Sequence, residues 1–290
     1  MAIILDKIVI ILLNGVSLGT ILFLLATGLS LTLGTMGILN LSHGALYMIG
    51  AYVGWTIAVQ YGLSFGLAIL AGTVAAGGVG VFMDRLFFSK LHGQTKEQVL
   101  LSLGFVYVIT NLTLWVYGPM QRGLFAPPFL SGSFSIGDWL YPIDRATLIP
   151  IGLALAGGLW WLQNKTRLGA IVRAGMDDKE MTTGLGINYE RACLAVFLLG
   201  TALAGFAGVV GGQLFGANIE LGMRILILAL IVVVVGGTGS VEGALVGAIV
   251  IGLTDSIGRW LFPELAMFLL YILMIIVLLA RPAGLLGRKV

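Results

Sequence analysis

Charged residues are scarce in this 290-residue chain: Asp, Glu, Lys and Arg together make up 10% of it, where a water-facing globular domain carries about 25%. A soluble fold is excluded, because too few charges remain to cover its surface. Cysteine occurs once, as Cys193, which rules out an internal disulfide and any thiol-pair metal or redox site. Histidine occurs twice, as His43 and His92, far apart in the sequence. The usual hydrolytic and metal-ligand constellations therefore lack raw material, so the chain is poorly equipped as an enzyme and no cofactor or metal is expected on it. The basic excess is small: 16 Lys and Arg against 13 Asp and Glu give +3, too little to argue for nucleic acid. Strands of alternating polarity are missing, which excludes an outer-membrane barrel. Nor is a secretory signal expected, since the first apolar run is longer than the core of about 7–15 residues in such signals and has no obvious cleavage site.

What the chain has instead is hydrophobic length. Apolar residues are 59% of the total, mean hydropathy is +1.06, and 43 residues are glycine, about twice the usual share. This composition predicts an all-α integral membrane protein whose helices pack backbone to backbone. Runs approaching the roughly 20 apolar residues of a spanning helix lie at 8–33, 45–61, 63–83, 98–117, 147–163, 192–216, 225–254 and 263–280. About seven to eight transmembrane helices in one domain, 1–290, are expected. Three segments hold 11 of the 16 basic residues: Arg85, Lys90 and Lys96; Lys165, Arg167, Arg173, Lys179 and Arg191; and Arg281, Arg288 and Lys289. The positive-inside rule places all three, and with them the C-terminus, in the cytoplasm. The 118–146 connection has only Arg122 and Arg145, and with Trp139 and Tyr141 as interfacial anchors it is assigned to the outside. Parity then puts the N-terminus outside.

These assignments require 225–254 to make no net crossing. Its first apolar stretch, 225–235, has 11 residues, about 16 Å as a helix. Gly236, Gly237, Thr238, Gly239, Ser240, Val241, Glu242 and Gly243 then interrupt it before a second apolar half, 244–254. Such a break survives in lipid only when buried in protein or lining a wet cavity, so a re-entrant or broken element beside a pathway is expected. The alternative is a kinked but complete helix. An echo links the two halves of the chain: Ser42-His43-Gly44-Ala45-Leu46 parallels Val241-Glu242-Gly243-Ala244-Leu245, each after a polar, glycine-containing interruption. Internal repeats with interrupted segments in corresponding positions mark substrate routes in transporters.

Polar residues inside the runs are few. Asn40 and His43 lie in the first interruption and Glu242 in the second, and ionisable groups at membrane depth are by default pathway candidates. His43 and Asn40 could equally bond backbone groups freed by the break, and Glu242 could cap a helix starting near Gly243. Asp255 and Arg259, four apart, read as a solvated helical pair. The segment 164–191 is the most distinctive of the basic connections. A short charged helix over 170–183 is expected, ended by Gly184 and Gly186, which is either a solvated link or a knob that inserts into a partner.

Several stretches together resemble the permease subunits of branched-chain amino-acid ABC importers: Asn14-Gly15-Val16-Ser17, Ala26-Thr27-Gly28-Leu29, Gly37-Ile38-Leu39-Asn40-Leu41-Ser42-His43-Gly44, Arg173-Ala174, Gly186-Ile187-Asn188, Gly236-Gly237-Thr238-Gly239-Ser240 and Arg281-Pro282-Ala283-Gly284-Leu285. The resemblance implies one of two similar membrane subunits around a central pathway, with two ATP-binding cassette subunits inside and a solute-binding protein outside. ATP and Mg would sit on those ATPase partners. The pathway or gate would be formed around Asn40, His43, Gly44, Gly236, Gly237, Thr238, Gly239, Ser240 and Glu242. Coupling to the ATPases would fall on Arg173, Asp177, Asp178, Lys179, Glu180, Gly184 and Gly186. The sequence departs from the family pattern at Ala45, where an acidic residue is frequent, and at Thr182-Thr183, where alanine is common. The first departure leaves urea or short amides as an alternative cargo to branched-chain amino acids. An ion-coupled secondary transporter is the rival of a different class, and a bacterial inner-membrane location is implied.

Overall fold

The computed structural model describes residues 2–91 and 93–287, so His92, Arg288 and Lys289 lie outside the described residues. Among the described residues the chain forms eleven α-helices: α1 (Ala2–Met36), α2 (His43–Trp55), α3 (Phe65–Leu86), α4 (Thr95–Tyr117), α5 (Ile143–Lys165), α6 (Arg167–Asp177), α7 (Lys179–Gly184), α8 (Tyr189–Phe215), α9 (Leu221–Gly236), α10 (Val241–Leu261) and α11 (Ala266–Ala280). A hairpin of β1 (Ser133–Ile136) and β2 (Trp139–Pro142) lies between α4 and α5, with Ser133 opposite Pro142. Seven segments are long and apolar enough to cross a bilayer: six of these helices, α1, α3, α4, α5, α8 and α10, and the stretch Pro263–Ala280 that contains α11. The chain is an all-α, multi-pass membrane protein.

The two remaining apolar helices are short. α2 has 13 residues and continues directly into a π turn, Thr56–Gln60, and α9 has 16, about 24 Å, both short of the hydrocarbon thickness of about 30 Å. Each follows a long helix after a brief non-helical stretch, 37–42 after α1 and 216–220 after α8. The chain leaves those long helices through Gly37 and Gly216, both at φ +67°, a left-handed conformation that a side chain would strain. The apolar run 45–61 is thus a half-helix plus a π turn, Thr56–Gln60, rather than a span.

The region 225–254 also differs from the two halves expected. Its first part is a 16-residue helix and its second belongs to a full span, α10, with a reversal at 237–240 between them. The two helices fold back on each other: a Cβ on Gly247 would stand 2.6 Å from the Val232 carbonyl oxygen. The pair makes no net crossing, but the interruption is an inter-helix turn, not a break at mid-depth.

Most of the principal helix contacts map onto themselves when α1–α4 are exchanged with α8–α11, although α10 packs on α11 while α3 scarcely touches α4. α1 packs on α10 as α8 packs on α3; α2 packs on α8 as α9 packs on α1; α2 touches α4 as α9 touches α11. α1 and α8 run in opposite directions, with Gly28 beside Gly200 and the Tyr189 hydroxyl donating to the Thr35 carbonyl at 2.7 Å. The repeat is therefore inverted, about an axis in the membrane plane. The sequence echo of 42–46 with 241–245 is not this correspondence, because the counterpart of α2 is α9 and not α10. Small residues make the close packing possible: Gly15 and Gly19 of α1 lie on Gly252 and Ala248 of α10, and Gly72 and Ala76 of α3 lie on Gly205 of α8. Van der Waals contact at this range replaces the hydrophobic drive that lipid cannot supply.

One end of the bundle gathers the segments 85–91, 164–191 and 281–287. Arg85, Asn188 and Arg191 line one cavity there, and Leu285 of the tail bonds to the end of α9. The other end holds the start of α1 and the 118–146 connection, where the Lys7 ammonium lies 5.4 Å over the Trp139 ring and the Ser17 hydroxyl donates to the Arg145 carbonyl at 2.9 Å.

Candidate functional site

The residues singled out in the sequence fall into three places. Asn40, His43 and Gly44 lie where the chain turns back to begin α2. Asn40 is fully buried, and its side-chain oxygen accepts from the Ser42 amide at 3.0 Å and from the Ser42 hydroxyl. The Asn40 carbonyl accepts from the His43 amide at 3.2 Å, which closes the turn. His43 is fully buried between Gly28 of α1 and Gly200 of α8; a Cβ on Gly28 would come within 2.8 Å of its Nε2. The two glycines form a notch into which the imidazole fits. Gly44 packs on Gly222 of α9, so the N-terminal ends of both half-helices meet.

Gly236 to Ser240 and Glu242 lie elsewhere, at the end of the bundle that holds 164–191. Their turn is clamped from three sides. Ser30 of α1 accepts the Gly239 amide at its hydroxyl, 2.9 Å, and at its carbonyl, 3.1 Å. The Gln163 side chain of α5 donates to the Gly239 carbonyl at 3.0 Å and accepts from the Val241 amide at 3.2 Å. The tail closes the third side: the Leu285 and Leu286 amides donate to the Val235 and Gly236 carbonyls at 2.8 and 3.0 Å, which would otherwise be orphaned at the end of α9. The Ser240 hydroxyl accepts the Gly243 amide at 3.0 Å as the cap of α10. Glu242, in that first turn, accepts from Asn164 at 3.2 Å and from the Ser240 hydroxyl at 3.1 Å. Protein therefore satisfies this interruption, and only Thr238 is well exposed.

The third place is 164–191. In place of one helix over 170–183 there are two, because Asp178 is extended (φ −153°, ψ 101°) and turns its carboxylate to the Met181 amide at 2.9 Å, capping α7. Arg173 donates to the Gln163 carbonyl and so ties α6 to the residue that clamps the 237–240 turn. Gly175 gives its space to the Tyr189 ring. Asp177, Asp178, Lys179, Glu180, Gly184 and Gly186 are on the surface. Beside them Met181 and Leu185, one helical turn apart, are 63% and 71% exposed, an apolar tip on a charged knob. The Met176 methyl reaches into the contact between Gly34 and Gly239.

The structure thus joins α6 to the 237–240 turn through Gln163 and Met176, while Ser30 of α1 holds the same turn from the other side. Asn40, His43 and Gly44 lie apart from that cluster. Sequence reasoning missed the second short non-helical stretch that leads into a short helix, Gly216-Ala217-Asn218-Ile219-Glu220. There the Arg122 amide donates to the Ala217 carbonyl at 2.9 Å and the Ala217 amide donates back at 3.2 Å. Its local signal was a glycine followed closely by Asn218 and Glu220 between two apolar runs. Among the described residues no three His, Cys, Asp or Glu side chains gather as a metal-ligand set.

An inverted repeat of membrane helices, with two short helices meeting at their N-terminal ends, is a transporter architecture, and the chain is a membrane permease, a transport subunit rather than an enzyme. Residues 11–278 match the family described as branched-chain amino acid transport system, permease component, and the chain belongs to that family. It is 30% identical to the high-affinity branched-chain amino acid transport system permease protein BraD of Pseudomonas aeruginosa, over 96% of this chain and 95% of that one. The corresponding LivH of Escherichia coli is also 30% identical, over 95% of this chain and 94% of LivH. The permease LivM of the same organism is 29% identical over 93% of this chain and 68% of its own length.

Proposed function

We propose that this chain forms half of the membrane pathway of an ATP-driven importer for branched-chain amino acids, paired with a homologous second permease. Two ATP-binding cassette subunits, which carry the ATP and Mg, dock at the end that holds 164–191. A solute-binding protein delivers cargo at the opposite end, formed by the start of α1 and the 118–146 connection. The basic residues around 85–96, 165–191 and 281 favour the cytoplasm for the docking end, in a bacterial inner membrane.

The observation that carries the reading is the path from the knob to the core. The exposed tip at Met181 and Leu185 presents an apolar contact to an ATPase groove. Displacement of α6 is felt at Gln163 through Arg173, and Gln163 holds the turn that joins α9 to α10. Movement of the α9–α10 pair shifts Gly222 against Gly44, where the two half-helices meet. Each ATP-driven step then changes which arrangement of α2 and α9 is favoured. Asn40 and His43 hold the turn into α2, and Glu242 with Ser240 holds the start of α10.

The test is uptake into vesicles reconstituted with this chain, its partner permease, the ATPases and the binding protein. ATP-dependent entry of leucine, isoleucine or valine, unaffected by ionophores, is expected. Entry of urea but not of these amino acids would reassign the cargo, and uptake that persists without the ATPases would overturn the reading in favour of ion coupling.

A further inference from the structure

Two charges flank the contact at the centre of the inverted repeat, and the packing of the chain does not use them. Gly44 and Gly222 touch each other as symmetry counterparts, which places both near the in-plane axis and so near the middle of the membrane. Glu220 and Arg224 stand two residues on either side of Gly222, about 3 Å along the axis of α9. Both are exposed. They are four apart on the helix, yet Asp255 with Arg259 is the ion pair found among the described residues. In the first half the positions two residues either side of Gly44 are Ser42 and Leu46, both uncharged. A half-helix can therefore start and pack here without charge. Charged groups at this depth face a wet cavity or a pathway, because lipid would exact several kcal/mol for each.

The cavity is present. A cleft of about 360 Å³ opens between α9 and α11, with Asn218, Glu220 and Arg224 at one end and Met223, Ile227 and Tyr271 among its apolar walls. The corresponding cleft beside α2 and α4 is smaller, about 160 Å³, and has no charged lining. The first lies within the size range of small-ligand sites and combines an apolar surface with a few convergent polar groups. The start of α9 adds the positive end of a helix dipole.

We propose that this cleft is a transit site that reads the α-amino-acid zwitterion in the membrane. Resting on the importer reading above, it assigns three contacts. Arg224 meets the α-carboxylate, Glu220 meets the α-ammonium, and Met223, Ile227 and Tyr271 receive a short apolar side chain. A neutral amide such as urea satisfies neither charge. The cargo would then be selected a second time by the permease, after its binding protein.

The complete importer in proteoliposomes tests this with Glu220→Gln, Arg224→Gln and Arg224→Lys. Leucine uptake is measured at saturating loaded binding protein, alongside stimulated ATP hydrolysis and subunit stoichiometry. Each Gln variant is expected to lower uptake about tenfold, the scale of one lost charge-assisted hydrogen bond, with ATP hydrolysis and stoichiometry unchanged. Arg224→Lys is expected to restore most of it. Wild-type uptake in both Gln variants overturns the site and leaves the importer reading standing. Loss of subunits in proportion to uptake also overturns it, because the pair would then be a contact between permeases. A wild-type complex that imports no branched-chain amino acid overturns both. Independently, Met223→Cys in a Cys193→Ala chain is expected to react with a water-soluble maleimide more slowly during leucine turnover, and equal reactivity with and without leucine counts against the site.

Discussion

Gly44 and Gly222, each the second residue of its half-helix, leave no room for a side chain at the other: a Cβ on Gly222 would stand 2.7 Å from the Gly44 carbonyl oxygen, and one on Gly44 would be closer still to that of Gly222. The clash is with backbone, which has no rotamer by which to escape. Gly222→Val is expected to cost about 1–3 kcal/mol or more and to abolish uptake by forcing α2 from α9. Gly66→Ala, in α3 with no heavy atom within 4 Å, is the control and should be neutral or slightly stabilising. Thermal unfolding in detergent with vesicle uptake checks both; a Gly222→Val importer of normal activity would sink the meeting of half-helices as a working joint.

Gln163 serves two buried backbone groups at once, the Gly239 carbonyl and the Val241 amide. Gln163→Leu keeps the volume and removes both bonds, so two groups lose partners in a place water reaches poorly. About 1–3 kcal/mol for each unsatisfied group is the expected loss, seen as a lower unfolding temperature. Because the Gln163 carbonyl also receives Arg173, the variant should hydrolyse ATP with little uptake. Normal coupling between the two would show that the 237–240 turn takes no part in transmission.

Much of this arrangement is legible in the residues, and what is not follows from depth. The long spans declare themselves by apolar length, and the reversal at 237–240 by its glycines. The half-helix character of 45–61 is hidden because a half-helix buried in a bundle is as apolar as a span, and only the polar turn at Asn40 to His43 hints at where it starts. The stretch 216–220 reads as an ordinary loop, since hydropathy records composition and not depth. Glu220 and Arg224 look like loop charges for the same reason. The break at Asp178 went unseen because local propensity favours one helix, whereas an Asp that can cap makes two.

Met181 and Leu185 are the exposed apolar tip of the 164–191 knob. Asp substitutions at both should prevent ATPase capture while leaving the permease folded, since neither side chain supports the bundle. Charge reversal at Asp178 acts differently: it also removes the cap of α7, worth about 1 kcal/mol, so the knob itself loosens. A pull-down of the ATPases, with the detergent-unfolding midpoint of the permease as control, separates the two. Normal ATPase stoichiometry on the Met181→Asp/Leu185→Asp chain would move the docking surface elsewhere.

Asp255 and Arg259 test how charge is held at the C-terminal end of α10. They form the i,i+4 pair expected, but not a solvated one. The Asp255 side chain is 4% exposed, the Arg259 side chain is half exposed, and two bonds of 2.6 and 2.9 Å join them. The geometry is bidentate, so Arg259 does more than screen: it engages both oxygens of a carboxylate buried beside α1. Arg259→Leu leaves that carboxylate buried alone and should destabilise by about 3–5 kcal/mol, whereas Asp255→Asn with Arg259→Leu should recover much of the loss. The recovery matters more than the loss, because a double variant as unstable as Arg259→Leu alone would mean that packing of the arginine stem, not its charge, holds this end together.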